Sequence, residues 1–230
     1  MSNATRRGFL QSALAGGIGA FCLPANAQPT LTNIGPSGVP ISISALPIPE
    51  VKFPVPVSAT EENILGPYYR ELAPYRAKVT PPLEPGQSLL IRGRVWDFAA
   101  KKPLSGVVLD VWQANSKGSY DNDNPKSPPA SGLFHNRARM ITDESGYYEF
   151  ETIHPGAYQI GPEAWRPPHI HFMVRQAGFK KLVTQMYFLG DKLNKPDQFF
   201  LPSLAVAIKE LKVGKEKVEL GWFDIVLQKE

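Results

Sequence analysis

The segment Trp165-Arg166-Pro167-Pro168-His169-Ile170-His171-Phe172-Met173-Val174 places two of the chain's four histidines two residues apart. In a strand, successive side chains point to opposite faces. His169 and His171 then share one face, while Ile170, Phe172 and Val174 share the other and can pack in a core. Two imidazoles held two apart on a rigid strand are a ready pair of ligands for one metal ion. The prolines ahead of them forbid helix and help set where the strand starts. The pair alone is equally what two surface histidines on a polar strand face would look like, so the other ligands decide the matter. The single cysteine, Cys22, falls in a segment read below as a leader. Further ligands are therefore sought among Asp, Glu, Tyr and the remaining histidines, of which His135 and His154 read as loop or surface residues.

The elements that must position this pair are short runs rich in Val, Ile, Phe, Tyr and Trp. They cover Leu89–Asp97, Val107–Ala114, Arg139–Thr142, Tyr147–Thr152, His169–Arg175, Leu182–Phe188 and Val218–Leu227. Turn residues separate them at Lys102-Pro103, Asp143-Glu144-Ser145-Gly146, Pro155-Gly156 and Gly178. This pattern predicts an all-β fold, an antiparallel β-sandwich with long loops. Helical periodicity is weak, and only Ser203–Leu211 reads as a short helix. The loop from Asp121 to Asn136 is long and polar, and such loops on a β-scaffold often border sites. Arg137 and Arg139 beside it read as solvated loop charges, with a substrate carboxylate as their alternative partner.

Upstream, 12 prolines fall in the 57 residues from Pro29 to Pro85, a density that prevents regular helix and central strand. Residues 28–60 read as a flexible or surface-wrapping proline-rich arm, and 61–86 as an irregular lead-in containing Gly66-Pro67-Tyr68-Tyr69. Before the arm, Thr5-Arg6-Arg7-Gly8-Phe9-Leu10 matches the twin-arginine export pattern, followed by an apolar Gly/Ala-rich stretch and by Ala25-Asn26-Ala27. Cleavage is expected after Ala27, with a periplasmic mature protein and no stable membrane anchor. The expected organisation is a signal peptide over 1–27, arm and lead-in over 28–86, and a β-sandwich catalytic domain over 87–230. Removing Arg6 and Arg7 from the 25 basic residues leaves 23 against 21 acidic ones. That balance, with no basic run of five or more, argues against a nucleic-acid partner.

Four motifs in order resemble the intradiol ring-cleavage dioxygenase family. They are Val111-Trp112-Gln113-Ala114-Asn115 with Gly118-Ser119-Tyr120, then Thr142-Asp143 through Gly146-Tyr147-Tyr148-Glu149-Phe150 to Thr152-Ile153-His154-Pro155-Gly156-Ala157-Tyr158, then Trp165–His171, then Thr184-Gln185-Met186-Tyr187-Phe188 with Gly190-Asp191. The resemblance is good over residues 61–191 and loose beyond. It implies a non-haem iron(III) site with Tyr120 and Tyr158 as tyrosinate ligands and His169 and His171 as imidazole ligands. Ferric ion and phenolate are both hard, and a bound cation can hold a buried phenol deprotonated. The implied substrate is a catechol, cleaved with O2 between its two hydroxyl-bearing carbons to a cis,cis-muconate-type diacid. The resemblance further implies that Tyr158 is the ligand displaced to act as a base while Tyr120 stays. It sets Arg166 over the bound ring as a fixed positive charge and Gln185 in the substrate pocket. A homo-oligomer is expected by the same analogy.

The sequence departs from the family after Tyr158, where Gln159-Ile160 stands in place of the proline and aromatic of many protocatechuate-type members, and the link to His169 is shorter. The helical N-terminal domain of catechol and hydroxyquinol dioxygenases is replaced by the proline-rich arm. Two other readings compete. One is a zinc or iron(II) site built from His169, His171 and a carboxylate. The other is a secreted transthyretin-like β-sandwich binding module without catalysis.

Overall fold

The computed structural model describes residues 58–124, 126–213 and 216–230, together with the backbone of two short strands further upstream. The expected twin-arginine leader and nearly all of the proline-rich arm lie outside the described residues. In chain order the strands are β1 (Thr32–Ile34), β2 (Pro40–Ser42), β3 (Ser88–Asp97), β4 (Lys102–Pro103), β5 (Val108–Gln113), β6 (Arg137–Ile141), β7 (Tyr147–Ile153), β8 (Tyr158–Gln159), β9 (Trp165–Arg166), β10 (His169–Arg175), β11 (Leu182–Phe188), β12 (Ala205–Val206), β13 (Ile208–Val213), β14 (Glu216–Trp222) and β15 (Ile225–Leu227). β1 and β2 pair antiparallel with each other. Among the described residues no helix is long and apolar enough to cross a membrane.

Two sheets form a sandwich, as the alternating runs predict, but not the wholly antiparallel one expected: β14 and β15 run parallel to β3, and β12 runs parallel to β11. The first has the order β12-β11-β10-β5-β6, and the second has the path β13-β14-β3-β15 with β4 and β7 also on β3. Their facing sides interdigitate. Leu89, Ile91, Val95, Tyr148 and Phe150 of the second sheet pack in one core with Leu109, Val111, Ile170, Phe172, Val174 and Met186 of the first. Directly opposed residues of an antiparallel pair share a face. His171 lies opposite both Trp112 and Gln185, and His169 lies opposite Tyr187. The core therefore takes the Ile170 side of β10, and the histidines stand on the outer face of the first sheet.

That outer face is covered by the middle of the lead-in, which contains no named strand and brings Gly66 beside His171 and Tyr69 onto Trp112. This lead-in runs along the edge of β11. Asn63 N–H donates to the Val183 carbonyl (2.8 Å), Thr184 Oγ1 donates to the Glu61 carbonyl (2.8 Å), and Gln185 Nε2 donates to the Ile64 carbonyl (2.8 Å). An edge that would otherwise offer bare backbone groups is thereby closed.

Two local expectations are corrected. No helix forms over Ser203–Leu211. A single 3-10 turn at Pro202–Leu204 gives way to β12 and β13. Leu204, Val206 and Ile208 all pack on the core, a period of two that belongs to extended chain. The run Val218–Leu227 is two strands, broken at Phe223-Asp224. There Phe223 N–H donates to the Arg92 carbonyl (2.7 Å), and its own carbonyl turns onto β3, accepting from the Tyr148 hydroxyl (2.5 Å). The approach requires a glycine at position 93, since a Cβ there would fall 1.9 Å from the Phe223 oxygen.

Candidate metal centre

On the outer face of β10 the two imidazoles converge, with His169 Nε2 and His171 Nε2 3.1 Å apart. His169 Nδ1–H donates to the Pro167 carbonyl (2.7 Å), which fixes its tautomer and leaves the Nε2 lone pair toward its neighbour. His171 is held flat against Trp112, and its Nδ1 finds no hydrogen-bond partner among the described residues. Both rings are buried. Burial and the nearby Arg166 charge push His169 down to about 3. Burial and the neighbouring His169 push His171 well below the ordinary histidine value. Both are thus neutral imidazoles, the form that ligates metals.

Two tyrosines close on this pair from separate loops. Tyr120 follows β5, and its ring lies 6.3 Å from that of His171; Tyr158 opens β8, and its ring lies 5.7 Å from that of His169. The two phenol rings are 5.6 Å apart and nearly perpendicular. Their loops touch backbone to backbone, which glycine alone permits. A Cβ at Gly118 would fall 2.2 Å from the Ala157 carbonyl oxygen, and one at Gly156 would fall 2.5 Å from that of Ser116. Gly156 N–H also donates to the Asn115 carbonyl (2.8 Å). The structure thus brings Tyr120, Tyr158, His169 and His171 to one place.

The donor set fits a hard trivalent ion. Tyr120 is 4% exposed, and among the described residues its hydroxyl has no partner but the Tyr158 phenol beside it. Burial raises both phenols, Tyr120 well above its ordinary value with Tyr158 adding to the rise, and Tyr158 less, with Arg166 opposing the shift of each. Without a cation both are neutral, and a cation between them would reverse that preference. Among the described residues no group of three His, Cys, Asp or Glu comes together. Among the described residues, then, no carboxylate joins the histidines as the zinc or iron(II) reading requires, and phenol rings stand there instead.

Arg166 ends β9 and is buried in a closed set of bonds. Its Nε donates to Asp197 Oδ2 (3.2 Å), and its Nη2 donates to Gln185 Oε1 (2.6 Å) and to the Tyr187 hydroxyl (3.2 Å). The guanidinium carbon lies 4.8 Å over the Phe199 ring. Gln185 is fully buried, and both ends of its amide are engaged, Oε1 by Arg166 and Tyr187 and Nε2 by the Ile64 carbonyl. The amide thus fixes Arg166 and ties the lead-in to β11.

Several residues of this centre carry no assignment from the sequence. Tyr68 stacks on Tyr120 at 4.2 Å, and Tyr69 meets Trp112 edge-on at 4.9 Å. Gly66 sits beside His171, where a Cβ would lie 3.4 Å from the imidazole. The only sequence signal for these is the Gly66–Tyr69 run in the lead-in; Asp197 and Phe199 have none. Arg137 and Arg139 are not the solvated charges that their place beside a polar loop predicts. Arg137 is 1% exposed and bonded to Asp121, Asn122 and the Tyr68 carbonyl, and Arg139 donates to the Ala73 carbonyl (2.5 Å) under Tyr75. His135 is exposed, and His154 is part-buried against Phe188 with Nδ1 2.6 Å from Glu219.

Comparison with known proteins agrees with this geometry. Residues 64–229 match the family described as "Dioxygenase". The chain is 39% identical to the protocatechuate 3,4-dioxygenase beta chain of Burkholderia cepacia over 188 residues, covering 75% of this chain and 76% of that one. It is 30% identical to the chlorocatechol 1,2-dioxygenase of Rhodococcus opacus, over 74% and 72% of the two chains. The crystal structure of 3-chlorocatechol 1,2-dioxygenase from Rhodococcus opacus 1CP superposes with a TM-score of 0.68 at 27% identity, over 74% of this chain and 73% of that one. The chain belongs to the intradiol ring-cleavage dioxygenase family. It is an oxidoreductase of the ring-cleaving dioxygenase class, and the reading as a binding module without catalysis is set aside.

Proposed function

We propose that the protein holds non-haem iron(III) through Tyr120, Tyr158, His169 and His171. With O2 it cleaves a catechol-type ring between the two hydroxyl-bearing carbons, giving a cis,cis-muconate-type diacid. The observation that carries this reading is the convergence of two neutral imidazoles, their Nε2 atoms 3.1 Å apart, with one buried and one half-buried phenol. Held by these four residues, iron(III) would supply a Lewis-acid centre for the catechol oxygens, drawing electron density from the ring.

The chain's own residues do the rest. Tyr158 is half-buried at the start of a two-residue strand and is the more accessible of the two phenols; its Oη is the base that takes one catechol proton. Arg166, locked by Asp197, Gln185 and Tyr187, presents a fixed positive charge to the negative charge that develops on the ring. Gln185 acts through Arg166 and is a positioning residue. The lead-in and the Tyr68 and Tyr69 rings exclude water from the face of the sheet.

The mature protein, loaded with iron, should be red from phenolate-to-iron charge transfer. Tyr120→Phe should abolish or strongly shift that colour, and a panel of catechols should yield ring-opened diacids that carry both atoms of labelled O2. A colourless protein after iron reconstitution, or extradiol products, would overturn the assignment. The twin-arginine pattern at Thr5–Leu10 and the Ala25-Asn26-Ala27 site support export of this enzyme to the periplasm. Fractionation of cells expressing the Arg6→Lys/Arg7→Lys variant tests that, since the variant should stay in the cytoplasm.

A further inference from the structure

We propose that Arg137 is a positioning residue that fixes Tyr120 as the permanent tyrosine of the centre, leaving Tyr158 as the one free to move. The inference rests on the four-ligand site proposed above.

Arg137 is the first residue of β6, and its guanidinium is almost wholly withdrawn from solvent. Every arm of it is spoken for. Nε donates to Asp121 Oδ1 (2.7 Å), Nη2 to Asn122 Oδ1 (2.5 Å) and Nη1 to the Tyr68 carbonyl, and the guanidinium forms an ion pair with the Asp121 carboxylate. Asp121 and Asn122 are the two residues that follow Tyr120 in the chain, and Tyr68 is the residue whose ring is stacked on that of Tyr120. One rigid fork therefore grips the Tyr120 loop from behind and the roof from above. The same guanidinium lies 6.0 Å from the Tyr120 ring centre. Asp121 is further held by Arg70 Nη1 (2.5 Å) and by the His135 N–H (3.2 Å), which leaves its carboxylate no freedom to follow a moving Tyr120.

Among the described residues, Tyr158 has no such side-chain clamp; its loop is held only by the backbone contact at Gly156 and Ala157. Tyr158 sits on a two-residue strand paired only with β9, at the base of a hairpin whose Ile160 and Trp165 are exposed. The two phenols are thus mounted differently, one in a clamp that spans three parts of the chain and one on a short hairpin. Partners that orient a ligand from outside the coordination sphere commonly govern metal affinity by roughly 10- to 100-fold.

The test reads iron retention rather than turnover. Iron-loaded wild type, Tyr158→Phe, Arg137→Met, and the Arg137→Met/Tyr158→Phe pair are mixed with excess chelator, and loss of iron is followed by metal analysis and by decay of the visible band. In Tyr158→Phe the ion depends on Tyr120. Adding Arg137→Met should then speed its loss by roughly 10- to 100-fold, while Arg137→Met alone has a smaller effect. Arg137→Lys keeps the charge without the fork and should behave like Arg137→Met, so it carries the test if the methionine variant does not fold. Loss rates within twofold of one another in the two Tyr158→Phe proteins would overturn the role of Arg137 while leaving the iron site intact. A wild type that takes up no iron would overturn the site itself, and the inference with it.

Discussion

The indole of Trp112 lies flat against the imidazole of His171, with ring centres 4.8 Å apart and planes 6° apart. The contact follows from the register of β5 and β10, which sets these two residues directly opposite each other. Trp112 is also held edge-on by Tyr69, so it passes the position of the lead-in on to His171. Trp112→Ala should cost about 3–5 kcal/mol of folding stability, the usual range for emptying a buried aromatic site. It should also weaken iron binding. Trp112→Phe keeps a flat ring and should cost less on both counts. Urea unfolding of the metal-free proteins and iron titration separate the two effects.

Arg166 and Asp197 form a buried pair, with side chains 3% and 1% exposed. Removing one partner strands the other charge, at about 3–5 kcal/mol. Arg166→Met should therefore be unstable as well as slow, and Arg166→Met/Asp197→Asn should recover most of the stability. In that double variant the iron colour should persist while kcat falls by about 10²–10³-fold, the scale for losing one charge-stabilising group. A double variant that regains full kcat would remove Arg166 from the reaction.

The contact between the two tyrosine loops gives a sharper test. Gly118 has a φ of +82° and no room for a Cβ beside Ala157; Gly132 has a φ of +83° and open space around it. Both substitutions to alanine carry the left-handed backbone cost of about 1–2 kcal/mol. Only Gly118→Ala must also push the Tyr120 and Tyr158 loops apart. Iron affinity should fall in Gly118→Ala and be unchanged in Gly132→Ala, as measured by competition with a chelator. Equal effects from the two would show that loop contact does not set the tyrosine spacing.

Much of the fold and of the centre is legible in the amino-acid sequence. The bounds of β10 and β11 follow from alternation and from the Pro167-Pro168 start, and the split between His169/His171 and Ile170/Phe172/Val174 needs only the pleat. What is not legible depends on distant partners. β13 is an edge strand whose Lys209, Glu210 and Lys212 suit a helix surface as well as a strand, and it is its ladder with β14 that decides. Arg137 looks like a loop charge until Asp121, Asn122 and Tyr68 are brought around it. Asp197 belongs to the centre only because the chain returns past Arg166 after β11, and no local pattern announces that return.

The roof over the metal face also has a bearing on biosynthesis. Residues 60–68 leave the ribosome ahead of the strands they cover, yet they bond across separations of 121 residues (Ile64 with Gln185), 136 (Asn63 with Phe199) and 166 (Thr60 with Val226). Contacts so distant in sequence form late, because the loops they close are entropically costly until the strands between them are in place. The metal face is consequently covered by an early-made stretch of the chain acting on strands made later. A nascent chain that stalls before Gln185 has no partner for the Ile64 carbonyl, and one that stalls before Val226 has none for Thr60. Docking of the lead-in over the metal face is in this sense a report that the later strands have been made and folded.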